Sequence, residues 1–259
     1  MGASQSAPKN RTSTSVVKQK IERAGKTGIL SLPEHKLKDV PVKLLEGLKA
    51  NLKTLDVSSN SIEVLPEFGE YGKLKTLKVA RNKLTRLPRL PSTLATLDAA
   101  DNRLEEDLGD LPESLETLSL RSNSFGAVPR ALLSLGTLKT LDLADCKLTD
   151  IAALAEASLA SLLDLILDRN SIPSVPEGLV DAAPKLKRLG LEYNNIVHLP
   201  ENLLRAPSLD RLDLKGNKLT KAQFMRLDGA DDFLKRREKT RLKDTAGGAI
   251  ADLAVCGLD

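Results

Sequence analysis

The stretch that decides the fold is LKTLDVSSNSIEVLP at residues 52–66, which returns almost unchanged at 74–88 as LKTLKVARNKLTRLP. A third version, LKTLDLADCKLTDI, begins at residue 138. Four apolar positions and one Asn or Cys recur at fixed offsets in these copies. Because one short unit of this kind cannot bury its own apolar side chains, the repetition predicts a stack of similar units that share one continuous core.

The copies follow one frame, L-x-x-L-x-L-x-x-N-x-L, usually closed by an apolar residue and a proline. A degenerate earlier unit begins at Thr27, and successive full units start 20 to 24 residues apart. This period and this Asn or Cys position are the signature of the leucine-rich repeat. The eight full units begin at Leu52, Leu74, Leu94, Leu115, Leu138, Leu162, Leu186 and Leu209.

The Asn or Cys position has a predictable role in the turn that follows each strand. A turn inside the stack leaves backbone N–H and C=O groups away from water, and a buried Asn offers both a donor and an acceptor to them. A cysteine fits the same space but forms weaker hydrogen bonds, so we expect a looser turn there. The predicted structural positions are Asn60, Asn82, Asn102, Asn123, Cys146, Asn170, Asn194 and Asn217.

These features predict an α/β fold: a curved right-handed leucine-rich repeat solenoid with a parallel β-sheet on its concave face. It has about eight full repeats after the degenerate first one. The Pro-free segment 150–162 is expected to form a short helix on the convex side. We divide the chain into a flexible basic N-terminal arm (1–24), the solenoid (25–221), a C-terminal capping segment (222–244) and a tail (245–259).

The composition excludes several classes of protein. The 259 residues contain no apolar run of membrane-spanning length, and two cysteines are too few for a disulfide framework. An aromatic content of 2% is sparse for a surface that stacks on nucleic acid bases. His35 and His198 fall in distant repeats, each without a second ligand at metal-binding spacing. We therefore predict a monomeric, cytoplasmic, non-catalytic protein with no cofactor and no metal.

The concave face offers a candidate site for another protein. The residue before the second leucine of the frame is Thr in five successive repeats, then Asp164, Arg188 and Arg211. Thr is a common strand residue, whereas Arg and Tyr are enriched at binding hot spots. The predicted partner-binding residues are Arg188, Arg211, Glu192, Tyr193 and Asp213.

The first residues, MGASQS, fit the M-G-x-x-x-S pattern for myristoylation of Gly2. A single acyl chain holds a protein to a bilayer only marginally, so nearby basic residues would be needed as a second signal. The candidate basic contacts to membrane or partner are Lys9, Arg11, Lys18, Lys20, Lys235, Arg236 and Arg237.

The chain up to about residue 244 resembles small intracellular members of the leucine-rich repeat superfamily. The Met1-Gly2 start, the first repeat at 26–41, the row of short repeats and the segment 227–243 carry this resemblance. It implies a lipidated peripheral membrane protein without catalytic activity and without a defined ligand. We therefore predict a scaffold for protein–protein interaction. The alternatives are a soluble regulatory subunit that binds a phosphatase or a small GTPase, and, less favoured, a basic nuclear or nucleic-acid-associated adaptor.

Overall fold

A computed structural model of the protein describes residues 12–245 and 255–258. Within these residues, nine short strands form one parallel sheet in which every strand pairs with the next along the chain. The predicted solenoid is confirmed, with one strand for each full repeat and one for the degenerate first repeat. The strands are β1 (Ile29–Ser31), β2 (Thr54–Asp56), β3 (Thr76–Lys78), β4 (Thr96–Asp98), β5 (Thr117–Ser119), β6 (Thr140–Asp142), β7 (Asp164–Ile166), β8 (Arg188–Gly190) and β9 (Arg211–Asp213).

The core runs along the whole stack of repeats. The central residue of every strand is a leucine that is fully buried, and its two neighbours point to the other face of the sheet. In the repeat that contains β2, for example, Leu52 and Val57 are also fully buried, as the frame requires. Each repeat therefore contributes the same inward side chains to one apolar column, and its stability depends mainly on the repeats beside it.

The Asn residues join each turn to the preceding repeat. The Asn82 side-chain amide donates to the Val79 carbonyl of its own repeat (3.0 Å) and to the Val57 carbonyl of the previous one (3.0 Å). Its Oδ1 accepts from the Ile62 backbone N–H at 3.0 Å. The other six Asn positions repeat this pattern, at Asn60, Asn102, Asn123, Asn170, Asn194 and Asn217.

The repeat with Cys146 is held together differently. Its Sγ lies 3.3 Å from the Leu120 carbonyl, and burial raises the pKa of this thiol to about 11, which keeps it protonated. The Phe125 N–H, which would meet an Asn side chain in other repeats, donates instead to the Cys146 backbone carbonyl at 3.2 Å. The backbone is left-handed on both sides of Cys146, at Asp145 (φ 55°) and Lys147 (φ 58°), and this turns the Cys146 carbonyl toward its donor. Among the described repeats, the first one also lacks the Asn and has His35 in that position. It shows the same pair of left-handed residues, at Glu34 and Lys36.

The segments that return to the sheet are short helices or extended chain. The predicted helix in segment 150–162 is present as a 3-10 helix at Ala152–Glu156. Two further 3-10 helices lie at Glu46–Leu48 and Arg130–Leu132. The returning α-helices are α2 (Val42–Leu45), α3 (Leu179–Ala182) and α4 (Glu201–Arg205).

The N-terminal end differs from the expectation of a flexible arm over residues 1–24. Residues Thr12–Thr27 form a helix, α1, which packs against β1. Val17, Ile21 and Ala24 recur at helical spacing, and the last two are buried in the core of the first repeat. The prediction is therefore wrong for residues 12–24, because this short apolar stripe covers the exposed end of the stack. Residues 1–11 lie outside the described part of the chain.

At the opposite end, two helices and part of the tail cover the last repeat. These helices are α5 (Lys221–Phe224) and α6 (Ala230–Thr245). They bring together the fully buried rings of Phe224 and Phe233, whose centroids are 6.3 Å apart in an edge-to-face arrangement. In the tail, the Cys256 carbonyl accepts a hydrogen bond from the Leu214 N–H at 2.8 Å. Residues 255–258 therefore cover the outer edge of β9.

Candidate protein-binding face

The five predicted partner-binding residues lie together at the C-terminal end of the sheet face. Arg188 and Arg211 occupy paired positions on β8 and β9, and Asp213 pairs with Gly190. Glu192 and Tyr193 follow β8 after one intervening residue, Leu191. We call these five residues, Arg188, Glu192, Tyr193, Arg211 and Asp213, the C-terminal patch.

An ion pair fixes one arginine of the C-terminal patch. The Nε and Nη2 atoms of Arg188 lie 3.2 Å and 3.1 Å from the same oxygen, Oδ2, of Asp213 on the neighbouring strand. The side chains are 39% and 31% exposed, so water screens the pair and it contributes little to stability. Its effect is to orient the guanidinium across the sheet face.

The ring of Tyr193 is exposed but held in place. The side chain is 41% exposed, and the Arg169 guanidinium carbon lies 4.8 Å from the ring centroid. On the next repeat, a methyl group on Gly216 would lie only 2.6 Å from Tyr193 Cδ1. Gly216 is also left-handed, with φ 73°, so glycine suits this position in both respects. The ring is therefore packed between Arg169 and the Gly216 backbone.

Asp168 and Glu192 add negative charge beside this ring. Asp168 Oδ1 accepts from the Glu192 N–H at 2.7 Å and lies 3.0 Å from the point where a Cβ on Gly190 would be. The absence of a side chain at Gly190 thus leaves room for the Asp168 carboxylate over the sheet. Burial, and then repulsion from Asp213, raises the pKa of the Asp168 carboxyl. Burial also raises the pKa of Glu192, with repulsion from Asp168 and Asp213 as further causes.

Three residues that support the C-terminal patch were not predicted: Arg169, Asp168 and Gly216. The repeat frame contains a signal for two of them. Arg169 and Gly216 precede the Asn positions of the repeats on either side, as Tyr193 precedes Asn194. Residues at the same frame position stand next to each other in a solenoid, so the contact of Tyr193 with both could have been inferred.

The predicted basic contacts divide between the two ends of the solenoid. Lys18 and Lys20 lie on α1, and Lys20 Nζ donates to the Ser31 carbonyl at 3.1 Å. Lys235 is exposed and reaches Asp232 at 3.4 Å. Gly2, Lys9 and Arg11 fall outside the described residues.

Arg236 and Arg237 have structural contacts that the sequence did not predict. Arg236 Nη2 donates to the Leu204 carbonyl at 2.5 Å, and its Nε lies 3.4 Å from the Leu209 carbonyl. Arg237 Nη1 lies 3.8 Å from Cys256 Sγ. These hydrogen bonds hold Arg236 against the last repeats, and its role as a contact to membrane or partner stays a prediction. The Leu204 carbonyl at the end of α4 needs a donor, and this guanidinium supplies it.

Two kinds of site are not found in the described part of the chain. Residues 12–245 and 255–258 contain no group of three or more His, Cys, Asp or Glu side chains that could hold a metal ion. Among the same residues, no helix is both long enough and apolar enough to cross a membrane.

Comparison with known proteins agrees with the repeat frame. Models of the leucine-rich repeat match residues 51–70, 137–155 and 160–219. Keratocan from Gallus gallus is 35% identical over 147 residues, which cover 47% of this chain and 42% of keratocan. Fibromodulin from Sus scrofa is 36% identical over 121 residues, covering 46% of this chain and 80% of that sequence. The chain thus spans less than half the length of keratocan.

Solved structures show the same fold. The leucine-rich repeat domain of the type III effector XopL superposes with a TM-score of 0.64 at 24% identity, covering 87% of this chain and 81% of that one. The Leptospira interrogans leucine-rich repeat protein LIC12759 gives a TM-score of 0.60 at 25% identity, covering 80% of this chain and 58% of that one. These likenesses extend over most of the solenoid.

The family assignment supports a binding function. Leucine-rich repeat proteins generally act in protein–protein interaction, and the relatives that match this chain are binding proteins rather than enzymes. The matches do not show the narrower resemblance to small intracellular members of the superfamily. The repeat frame, the nine-stranded parallel sheet and the relatives all support one assignment, and the chain belongs to the leucine-rich repeat superfamily.

Proposed function

We propose that the protein is a non-catalytic scaffold that binds another protein through the C-terminal patch. The observation that carries this proposal is the exposed Tyr193 ring, held between Arg169 and the Gly216 backbone. Tyr and Arg are the residue types most often found at the energetic centre of a protein interface. A ring that is already fixed loses little conformational entropy when a partner covers it.

The charges around the ring indicate how a partner would be oriented. Arg188 is held by Asp213, while the Asp168 carboxylate lies over Gly190 and accepts a hydrogen bond from the Glu192 N–H. A partner that covers Tyr193 would therefore meet a positive and a negative group at fixed positions. Such an arrangement favours one docking orientation and disfavours partners with the opposite charge pattern.

Substitution of Tyr193 by asparagine tests this site directly. Tyr193 is left-handed (φ 55°), a conformation that asparagine tolerates well, so the variant removes the ring with little backbone strain. We expect the affinity for the partner to fall roughly tenfold or more, equivalent to about 1.4 kcal/mol or more, and recovery of the partner to fall with it. The melting temperature should stay close to that of the wild type. The measurement is proximity labelling in cells with quantitative mass spectrometry.

Val197→Ser is the matched control, because Val197 is similarly exposed (48%) and lies outside the C-terminal patch. Proteins that both wild type and this control recover, and that Tyr193→Asn loses, are partners of the patch. The double variant Arg188→Glu and Arg211→Glu should lose the same proteins. Equal recovery by all variants would show that the partner binds elsewhere.

We also propose that a myristoyl group on Gly2 holds the scaffold at the cytoplasmic surface of a membrane. The start pattern at residues 1–6 and the basic residues that follow it support this proposal. We expect Gly2→Ala to move the protein from the membrane fraction to the soluble fraction of eukaryotic cells. Ser4→Ala keeps the required Gly2 and Ser6 and serves as the control. If Gly2→Ala and the wild type fractionate alike, or intact mass shows no acyl group, the tether is wrong.

A further inference from the structure

The N-terminal end of the solenoid carries an exposed surface that combines cations with apolar side chains. Val16, Lys20 and Arg23 are spaced by four and three residues on α1, so they share one side of the helix. Ile29 of β1 lies beside them and is 55% exposed, and Val16 is 41% exposed. We call these four residues, Val16, Lys20, Arg23 and Ile29, the end face.

A pocket shows that the helix and the strand edge form one continuous surface. Lys20, Arg23 and Thr27 of α1 line it together with Ile29 and Ser31, and it encloses about 280 Å³. The hydrogen bond from Lys20 Nζ to the Ser31 carbonyl holds the ammonium group at this edge of the sheet. Apolar and cationic groups therefore reach solvent side by side at the end of the stack.

From this surface we infer that the end face lies against an anionic lipid bilayer, so that the solenoid stands with its first repeat at the membrane. The inference rests on the proposed tether at Gly2. Cations attract anionic headgroups, by about 1 kcal/mol for each Lys or Arg near the surface, and exposed apolar side chains enter the headgroup boundary. The charge of α1 suits this surface: it carries Lys18, Lys20, Arg23 and Lys26 against the single acid Glu22.

The distance from the lipid favours this end over the other one. Nine residues lie between Gly2 and Thr12, the first residue of α1, and even if fully extended the ten Cα-to-Cα steps span at most about 35 Å. The eight steps from β1 to β9 already cover about 38 Å at the usual spacing of strands. With Gly2 in the bilayer, the first repeat is therefore the part of the solenoid best placed to touch it.

Vesicle binding of the full-length, N-myristoylated protein tests the inference. The vesicles are phosphatidylcholine alone and phosphatidylcholine with about 30% phosphatidylserine, at near-physiological salt. We expect stronger binding to the anionic vesicles, a roughly tenfold loss for Arg23→Glu and a roughly threefold loss for Ile29→Thr. Threonine is suited to this position because five of the other strands begin with it.

Matched controls place the same chemical changes elsewhere on the solenoid. Lys187→Glu reverses an exposed charge on a distant repeat, and Val64→Thr removes an apolar side chain that is 57% exposed. Both should bind within about twofold of the wild type, as expected for sites away from the contact. Circular dichroism confirms that all four variants are folded.

The possible outcomes separate the tether from the orientation. If the myristoylated protein binds both vesicle types equally, and Arg23→Glu and Ile29→Thr behave like the controls, the end face does not meet the bilayer although the tether stands. If Arg23→Glu loses a protein partner in cells while vesicle binding is unchanged, the end face is a protein contact and the inference is overturned. If no acyl group is attached to Gly2 in cells, the tether is wrong and the inference falls with it.

Discussion

Replacing Asn170 by alanine is expected to lower the free energy of unfolding by about 3 kcal/mol or more, since each buried group left unpaired costs about 1–3 kcal/mol. Among the Asn positions of the described repeats, Asn170 is the one whose Oδ1 accepts two backbone hydrogen bonds. Its Oδ1 accepts from the N–H groups of Cys146 (3.0 Å) and Leu148 (2.9 Å), and its Nδ2 donates to the carbonyls of Leu143 (3.0 Å) and Leu167 (2.8 Å). Its loss therefore weakens the Cys146 repeat as well as its own. Urea denaturation followed by circular dichroism measures the effect.

Asn217→Ala is the control for this experiment. Asn217 accepts one backbone N–H, from Ile196 at 2.9 Å, and lies in the last full repeat, where its side chain is only partly buried. We expect it to cost about 1–2 kcal/mol. If both variants lose the same stability, the second accepted bond of Asn170 contributes nothing, and the Cys146 turn is stable without it.

Replacing Phe233 by alanine is expected to cost about 3–5 kcal/mol, the range for an aromatic ring lost from a packed interior. Phe233 is fully buried, packs edge-to-face on Phe224, and joins α6 to the last repeat. A solenoid needs a covered end, so we also expect β9 and the repeat before it to open locally. Hydrogen exchange should then show faster exchange at the Leu212 and Leu214 amides than at Leu55, in the second repeat.

Met225→Ala is the matched control for the capping helices, because Met225 follows α5 directly but is 43% exposed. A surface substitution of this kind should change stability by less than about 0.5 kcal/mol. If Phe233→Ala were as mild as this control, the last repeat would be stable without α6. The two helices would then have to be regarded as an appendage rather than a cap.

The repeat frame allowed the sheet and its side-chain columns to be predicted from the sequence. Positions that share a place in the frame become neighbours on adjacent strands, so Arg188, Arg211 and Asp213 could be placed together before any coordinates were known. The pairing of Arg188 with Asp213 was not predictable in the same way. It depends on side-chain rotamers, which the frame does not specify.

The two ends of the chain were harder to predict because they do not repeat. The apolar positions of α1 are few and lie among Ser, Thr and Lys, so the composition favours a flexible arm while the helical spacing of Val17, Ile21 and Ala24 favours a helix. The structure shows that the spacing is the better guide. Likewise, the basic run at 235–243 indicates a solvated surface, although Arg236 is used to cap carbonyls of the last repeats.

The hydrogen bonds of the Asn turns also affect how readily these Asn side chains deamidate. Deamidation begins when the backbone nitrogen of the next residue attacks the Asn side-chain amide, and the aspartate that results cannot donate the hydrogen bonds of the turn. After six of the seven Asn positions, that nitrogen already donates to a carbonyl of the preceding repeat, at Ser61, Lys83, Arg103, Ser171, Asn195 and Lys218. The seventh, at Ser124, has no such bond in the described part of the chain. The two N–H groups after it, of Phe125 and Gly126, donate to the Cys146 carbonyl of the following repeat. Among the seven Asn positions of the turns, we therefore expect deamidation to be fastest at Asn123, next to the one full repeat that lacks an Asn.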